Sequence, residues 1–165
     1  MGTSRETAFE PLTGDGPPLS GPVGERAGVV RTAFEGMLQI RRLTNTGHAD
    51  PERVPAQWEL HRPVRAVALA LEAAGVAASA VGASGERTAT GYRVCEGESP
   101  GSVRVEWVGP PGSGAVHDEE RALAGCVTVL SRLGWTALSY RGPRRRRFLE
   151  VEPPAAGPRA QGVRS

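Results

Sequence analysis

The chain contains no lysine; all 20 of its basic residues are arginine. Schiff-base catalysis, a lysine general base and the lysine of a phosphate-binding loop are therefore excluded. Cysteine is nearly absent. Cys95 and Cys126 stand alone, and two cysteines make neither a disulfide framework nor a zinc site by themselves. Long apolar runs are missing too. A membrane span needs about 18 or more such residues. The best candidate, 64–81, is interrupted by Arg65 and Glu72. The opening residues MGTSRETAFEPLTGDGPP hold no apolar stretch of the secretory kind. The expectation is a cytoplasmic protein with reduced thiols, no membrane association and no metal or cofactor.

What is present fits one domain. The length of 165 residues is within the usual single-domain range. Glycine and proline are abundant, at 22 and 14, and concentrate toward the ends. The formal net charge is +2. The segment 141–147 (RGPRRRR) alone carries five arginines and no acid. Removing it leaves 2 − 5 = −3 for the rest. The basic character is local, so no whole-domain field for steering nucleic acid is implied.

Residues 1–23 and 153–165 carry only scattered apolar residues. They cannot bury enough surface to offset chain entropy and are expected to be disordered. Between them, 24–152 reads as a single α+β domain. An amphipathic N-terminal helix is expected over 24–43, within a unit ending at 47. Val30, Ala33, Phe34, Met37 and Leu38 fall on one of its faces. A proline-rich link covers 48–62, in which 57–60 reads as extended. The core spans 63–152.

Within the core, Pro63 opens a helix over 63–74, with Val64, Val67, Ala68 and Leu71 inward, and Gly75 closes it. Strand candidates follow at 76–81 and 90–95. Residues 103–108 alternate cleanly, with Val103, Val105 and Trp107 on one face and Arg104 and Glu106 on the other. A second helix is expected over 118–133, capped by Asp118, with Glu119 and Glu120 at its positive end. Leu123, Cys126, Val127 and Leu130 form its apolar stripe. Strands at 135–140 and 147–152 close the chain as a hairpin. The α-β-β-α-β-β order predicts a small antiparallel sheet of four to five strands with two helices on one face, plus the N-terminal helix. The two halves show a weak repeat: 71–79 resembles 130–138, and each half ends in a strand followed by two prolines.

Few constellations carry chemistry. Gly109–Gly114 has the glycine spacing of a phosphate loop, but Ala115 and Val116 stand where lysine and serine or threonine are needed. A flexible connector is the simpler reading. His48, His61 and His117 have no mutual ligand spacing. Cys126 sits on an apolar stripe, as a small buried hydrophobe does. Nothing pairs a nucleophile with a base, so the chain is expected not to be an enzyme.

The hairpin is different. Tyr140, Arg141, Arg144, Arg145, Arg146, Arg147 and Phe148 gather guanidinium groups between two aromatic rings. Guanidinium binds carboxylate and phosphate in bidentate fashion. The expectation is a small binding or regulatory module acting on a protein partner through this hairpin. A nucleic-acid-associated protein using the same residues on phosphates is the alternative, and an uncharacterised enzyme comes third. A solvated charge run that blunts an exposed hairpin explains the same residues without a partner. Val30, Phe34, Met37 and Leu38 either pack on the domain or form an assembly surface for self-association.

Overall fold

A computed structural model describes residues 9–154. It is α+β, with four helices and two antiparallel sheets of two and four strands. Helix α1 (Val23–Thr44) is followed by a 3₁₀ turn at Pro51–Arg53, then the short helix α2 (Gln57–His61) and α3 (Pro63–Ala73). Strands β1 (Ala80–Val81) and β2 (Arg87–Ala89) form the small sheet. The large sheet comprises β3 (Gly91–Glu96), β4 (Val103–Val108), β5 (Thr136–Arg141) and β6 (Arg147–Glu152), in the order β3-β4-β6-β5. Helix α4 (Ala115–Arg132) joins β4 to β5.

Alternation decides which face of the sheet is covered. Tyr92, Val94, Val103, Val105, Leu149 and Val151 point to one side and are fully or almost fully buried. They meet Val67 and Leu71 of α3 and Leu123, Cys126 and Leu130 of α4 in one core. Ala66–Leu71 is buried at every position. That follows from its place: α3 has the sheet on one side and α1 on the other. Helices that are apolar all round belong in such interior layers.

The two halves of the core close alike. Val76 N–H donates to Leu71 O and Gly75 N–H to Glu72 O; Trp135 N–H donates to Leu130 O and Gly134 N–H to Ser131 O. Gly75 and Gly134 have φ of 84° and 88°, the left-handed helix ending that glycine tolerates best. At Gly134 a side chain would also strike the Arg53 carbonyl. The second strands of each half, β4 and β6, lie side by side at the centre of the sheet.

Several boundaries differ from expectation. Helix α4 starts at Ala115, with Gly114 as its N-cap at φ 80°, so Asp118 lies inside the helix and does not cap it. The inward stripe runs Ala115, Glu119, Leu123, Cys126, Leu130, and the packed first turn extends the helix backward. Residues 57–60 are helical, not extended, because Glu59 accepts the Ala56 N–H at 2.9 Å and is itself clamped. Of 76–81 only Ala80–Val81 is strand; Ala77 O and Ser79 N–H bond to Tyr92 instead.

Part of the N-terminal segment 1–23 is held in place. Residues 9–16 run past the β3 edge, where Thr13 O accepts the Val94 N–H, to β1, where Gly16 O accepts the Val81 N–H. Asp15 accepts from Arg87 and Arg93, at 2.7 and 3.0 Å. Main-chain pairing and ion pairs to Arg87 and Arg93 anchor a segment whose apolar content alone could not. Residues 1–8 and 155–165, also expected to be disordered, lie outside the described residues.

Helix α1 is pinned at both ends. Arg26 forks onto Glu72 of α3 at 2.8 Å and stacks over Phe9. Arg41, fully buried, forks onto buried Glu59 at 2.6 and 2.7 Å and also donates to the carbonyls of Glu52 and Leu133. Between these clamps Val30 and Met37 are buried, and Phe34 and Leu38 pack beside them against Leu69, Trp58 and Ala73. The candidate assembly stripe is thus engaged within the domain. A stripe this apolar finds the nearest apolar helix, and α3 supplies it. Among the described residues, no helix is long and apolar enough to cross a membrane.

Candidate functional site

The β5–β6 hairpin tip is built by main-chain bonds. Gly142 N–H donates to Arg146 O at 2.7 Å, and Arg146 N–H to Pro143 O at 3.3 Å. Between them Arg144 and Arg145 both have φ of 61°. This is the left-handed region, which costs a side-chain-bearing residue on the order of 1 kcal/mol over glycine. Two adjacent arginines there are a less favourable choice for the local backbone than glycine.

The structure divides the arginines of the hairpin. Arg146 is structural: its Nε donates to Glu119 at 2.7 Å and its NH2 to the Trp107 carbonyl at 2.8 Å. The Arg147 main-chain N–H also donates to Glu119, and its guanidinium approaches Glu120 at 3.7 Å. Glu119 is buried in the first turns of α4, so it holds the hairpin base against the helix. This role is different from dipole compensation. It was legible only as a carboxylate placed four residues before Leu123 on the inward stripe. Arg141, Arg144 and Arg145 are exposed and make no hydrogen bond or ion pair among the described residues.

The second sheet face adjoins them. Leu138 and Tyr140 of β5 are 50% and 47% exposed. Tyr140 stacks on Phe148 across the strand pair, with centroids 5.9 Å apart. Arg104 of β4 lies over Phe148 at 3.9 Å. Carboxylates share the face, and two of them, Glu106 and Glu150, are engaged. Glu106 accepts from Arg93 at 2.8 Å, and Glu150 accepts the Ser102 hydroxyl and the Glu98 N–H. No described helix covers this side. Sequence reading placed Arg104 on the outward face but did not connect it to the hairpin; the sheet order does that.

The other candidates separate. Cys126 is buried, and burial pushes its thiol up to about 12. Cys95 is half-buried; desolvation raises its thiol although Arg93 pulls the other way. The glycine loop 109–114 ends as the N-cap of α4 and borders a cleft of about 490 Å³ with Arg87, His117 and Arg146. A larger open cleft of about 790 Å³ lies between α2–α3 and the β3–β4 turn. Its wall mixes His61, Arg62 and Arg65 with Glu10, Glu96 and Glu98. No group of three or more His, Cys, Asp or Glu residues that could hold a metal ion occurs among the described residues.

Compared with known families, curated proteins and solved structures, the chain matches none.

Proposed function

We propose that this protein is a non-enzymatic binding module, and that Arg141, Arg144 and Arg145 take the carboxylates of an acidic protein segment. The observation that supports this most is the pair of left-handed arginines. Their backbone would be relaxed by glycine, yet they present two guanidinium groups that have no hydrogen-bond or ion-pair partner among the described residues. Strain kept at an unpaired charge is characteristic of recognition sites. Tyr140 and Phe148 add an apolar flank for the aliphatic parts of such a segment.

Protein is favoured over nucleic acid by the surroundings. Glu106, Glu150 and Glu152 lie on the neighbouring sheet face. A phosphate chain, charged at every residue, would meet them wherever it ran on across that face, whereas a protein segment can confine its carboxylates to the stretch that reaches the tip arginines. The second reading, a single-stranded nucleic acid, draws on the Tyr140–Phe148 stack and Arg104, since stacked rings beside arginine suit exposed bases.

A fluorescent glutamate-rich peptide and single-stranded oligonucleotides, titrated across a salt series, distinguish these. The variant is Arg141, Arg144 and Arg145→Ala. Arg146 and Arg147 are left intact because they hold the hairpin to Glu119. Peptide binding that the variant loses supports the proposal. Oligonucleotide binding with a log–log salt slope of roughly −2, from about three phosphate contacts, moves the assignment to the second reading. Binding of neither probe at low salt overturns both.

A further inference from the structure

The two edges of the large sheet are treated differently. On the β3 edge, Ala77 O accepts the Tyr92 N–H and Thr13 O accepts the Val94 N–H. That edge is closed by the chain itself. Among the described residues the β5 edge is open: β5 is last in the strand order, five of its six residues are exposed, and the sixth is half-buried.

The hydrogen-bond phase of β5 follows from its turn. Gly142 N–H bonds to Arg146 O directly opposite. Bonded and non-bonded pairs alternate in an antiparallel ladder. Tyr140, Leu138 and Thr136 therefore bond to β6, while Ala137, Ser139 and Arg141 turn their N–H and C=O groups outward. The register from Thr136↔Glu152 to Arg141↔Arg147 runs without a bulge. Proteins usually blunt such edges with proline, bulges or charge. From Trp135 to Tyr140 this strand has none of these.

We propose that this edge is a self-association surface: two copies pair β5 against β5, antiparallel, about a two-fold axis through Ser139. This register uses every outward group. Ser139 faces Ser139 of the second copy, and Ala137 faces Arg141, so the three outward residues of each copy are all bonded, giving six main-chain hydrogen bonds. The same register sets Leu138 opposite Tyr140 in the close, non-bonded pairs. Two aliphatic–aromatic contacts then continue the Tyr140–Phe148 stack across the junction.

Charge favours a second copy over a charged foreign strand. A two-fold axis places like beside like, and a strand with no charge from Trp135 to Tyr140 tolerates that. An acidic or basic strand would find no counter-charge until Arg141. The antiparallel arrangement also sends the two arginine tips to opposite ends of the junction. The four-stranded sheets join into one of eight strands. The proposal stands independently of what the hairpin arginines bind.

The interface is small, so dissociation in the micromolar range is expected. The test is sedimentation equilibrium of the full chain from about 1 to about 500 µM, a span chosen for that range. Wild type and Ser139→Ala, which keeps the N–H, are expected to move from the chain mass toward twice that mass. Ser139→Pro removes an outward donor without touching the β6 ladder, a placement that edge strands accept. It is expected to weaken association at least roughly 30-fold with unchanged circular dichroism. If Ser139→Pro does not fold, the double variant Leu138→Glu with Tyr140→Glu decides, since it puts four carboxylates at the junction and none in the core. A wild type that stays monomeric throughout overturns the proposal. So does a dimer that persists in whichever of these two variants folds.

Discussion

The clamp between Arg41 and Glu59 offers the sharpest test of how this fold is held. Both side chains are fully buried. Arg41 makes four bonds: two to the Glu59 carboxylate and one each to the carbonyls of Glu52 and Leu133. One side chain thereby ties the end of α1 to the 51–53 turn, the start of α2 and the end of α4. Glu59→Gln keeps the volume and removes the charge, leaving a guanidinium without its counter-ion in the interior. Removing one partner of a buried pair costs about 3–5 kcal/mol. For a chain this size that lowers Tm by roughly 6–20 °C. Arg41→Met should cost at least as much, because it also orphans two carbonyls, at about 1–3 kcal/mol each. Glu52→Gln is the control. The Arg42–Glu52 pair has side chains 43% and 44% exposed, and such pairs contribute about 1 kcal/mol or less. Urea unfolding followed by circular dichroism measures all three. If Glu59→Gln lies within about 1 kcal/mol of wild type, water reaches the pair and the clamp does not anchor α1.

The other predictions concern the hairpin, the thiols and acid. Arg144→Gly relieves left-handed strain and is expected to raise stability by up to about 1 kcal/mol while weakening binding of the acidic peptide; lower stability would show that the backbone is not strained there. Glu119→Ala leaves Arg146 and the Arg147 N–H without their acceptor and should cost about 1–3 kcal/mol by chemical denaturation, against a negligible change for Arg145→Ala. A thiol reagent at pH 8 should modify Cys95 slowly and Cys126 only on unfolding, because burial raises both thiols and Cys126 more; equal native-state rates would contradict the packing of α4.

Asp15 gives the pH dependence. Partial burial pulls its carboxyl up, but hydrogen bonds from Arg87 and Arg93 outweigh this and hold it below the usual value of 3.8. A carboxyl depressed in the folded state stabilises above its unfolded pKa, and that contribution is lost as pH falls through the folded one. The 9–16 segment should therefore loosen below about pH 4, seen as faster amide exchange at Val81 and Val94. Protection that is unchanged down to pH 2.5, or lost already at pH 6, would remove Asp15 as the tether.

Local pattern was enough to read most of the fold. Alternation in 103–108 and 147–152, helical spacing in 24–43 and 63–74, and glycine after each core helix are properties of short segments, so the sequence carries them openly. The charge concentration at 141–147 was equally plain. Contacts between distant residues were not. Nothing near Asp15 signals Arg87 and Arg93, more than 70 positions away. Nothing near Glu59 announces that Arg41 will be its partner. Those pairings exist because β3 and α1 come to lie where they do, and they order segments whose composition suggested none.

The sequence by itself determined the α+β class, the absence of lysine chemistry and the location of the arginine cluster, because each depends on residue type or on spacing within one element. Only the tertiary structure decided which arginines are free. Glu119 reaches Arg146 and Arg147 across 27 and 28 positions, and such a contact follows from packing α4 on the sheet, not from any local pattern. The strand order decided the rest: it closes the β3 edge with the chain's own N-terminal segment and leaves β5 without an outer neighbour among the described residues.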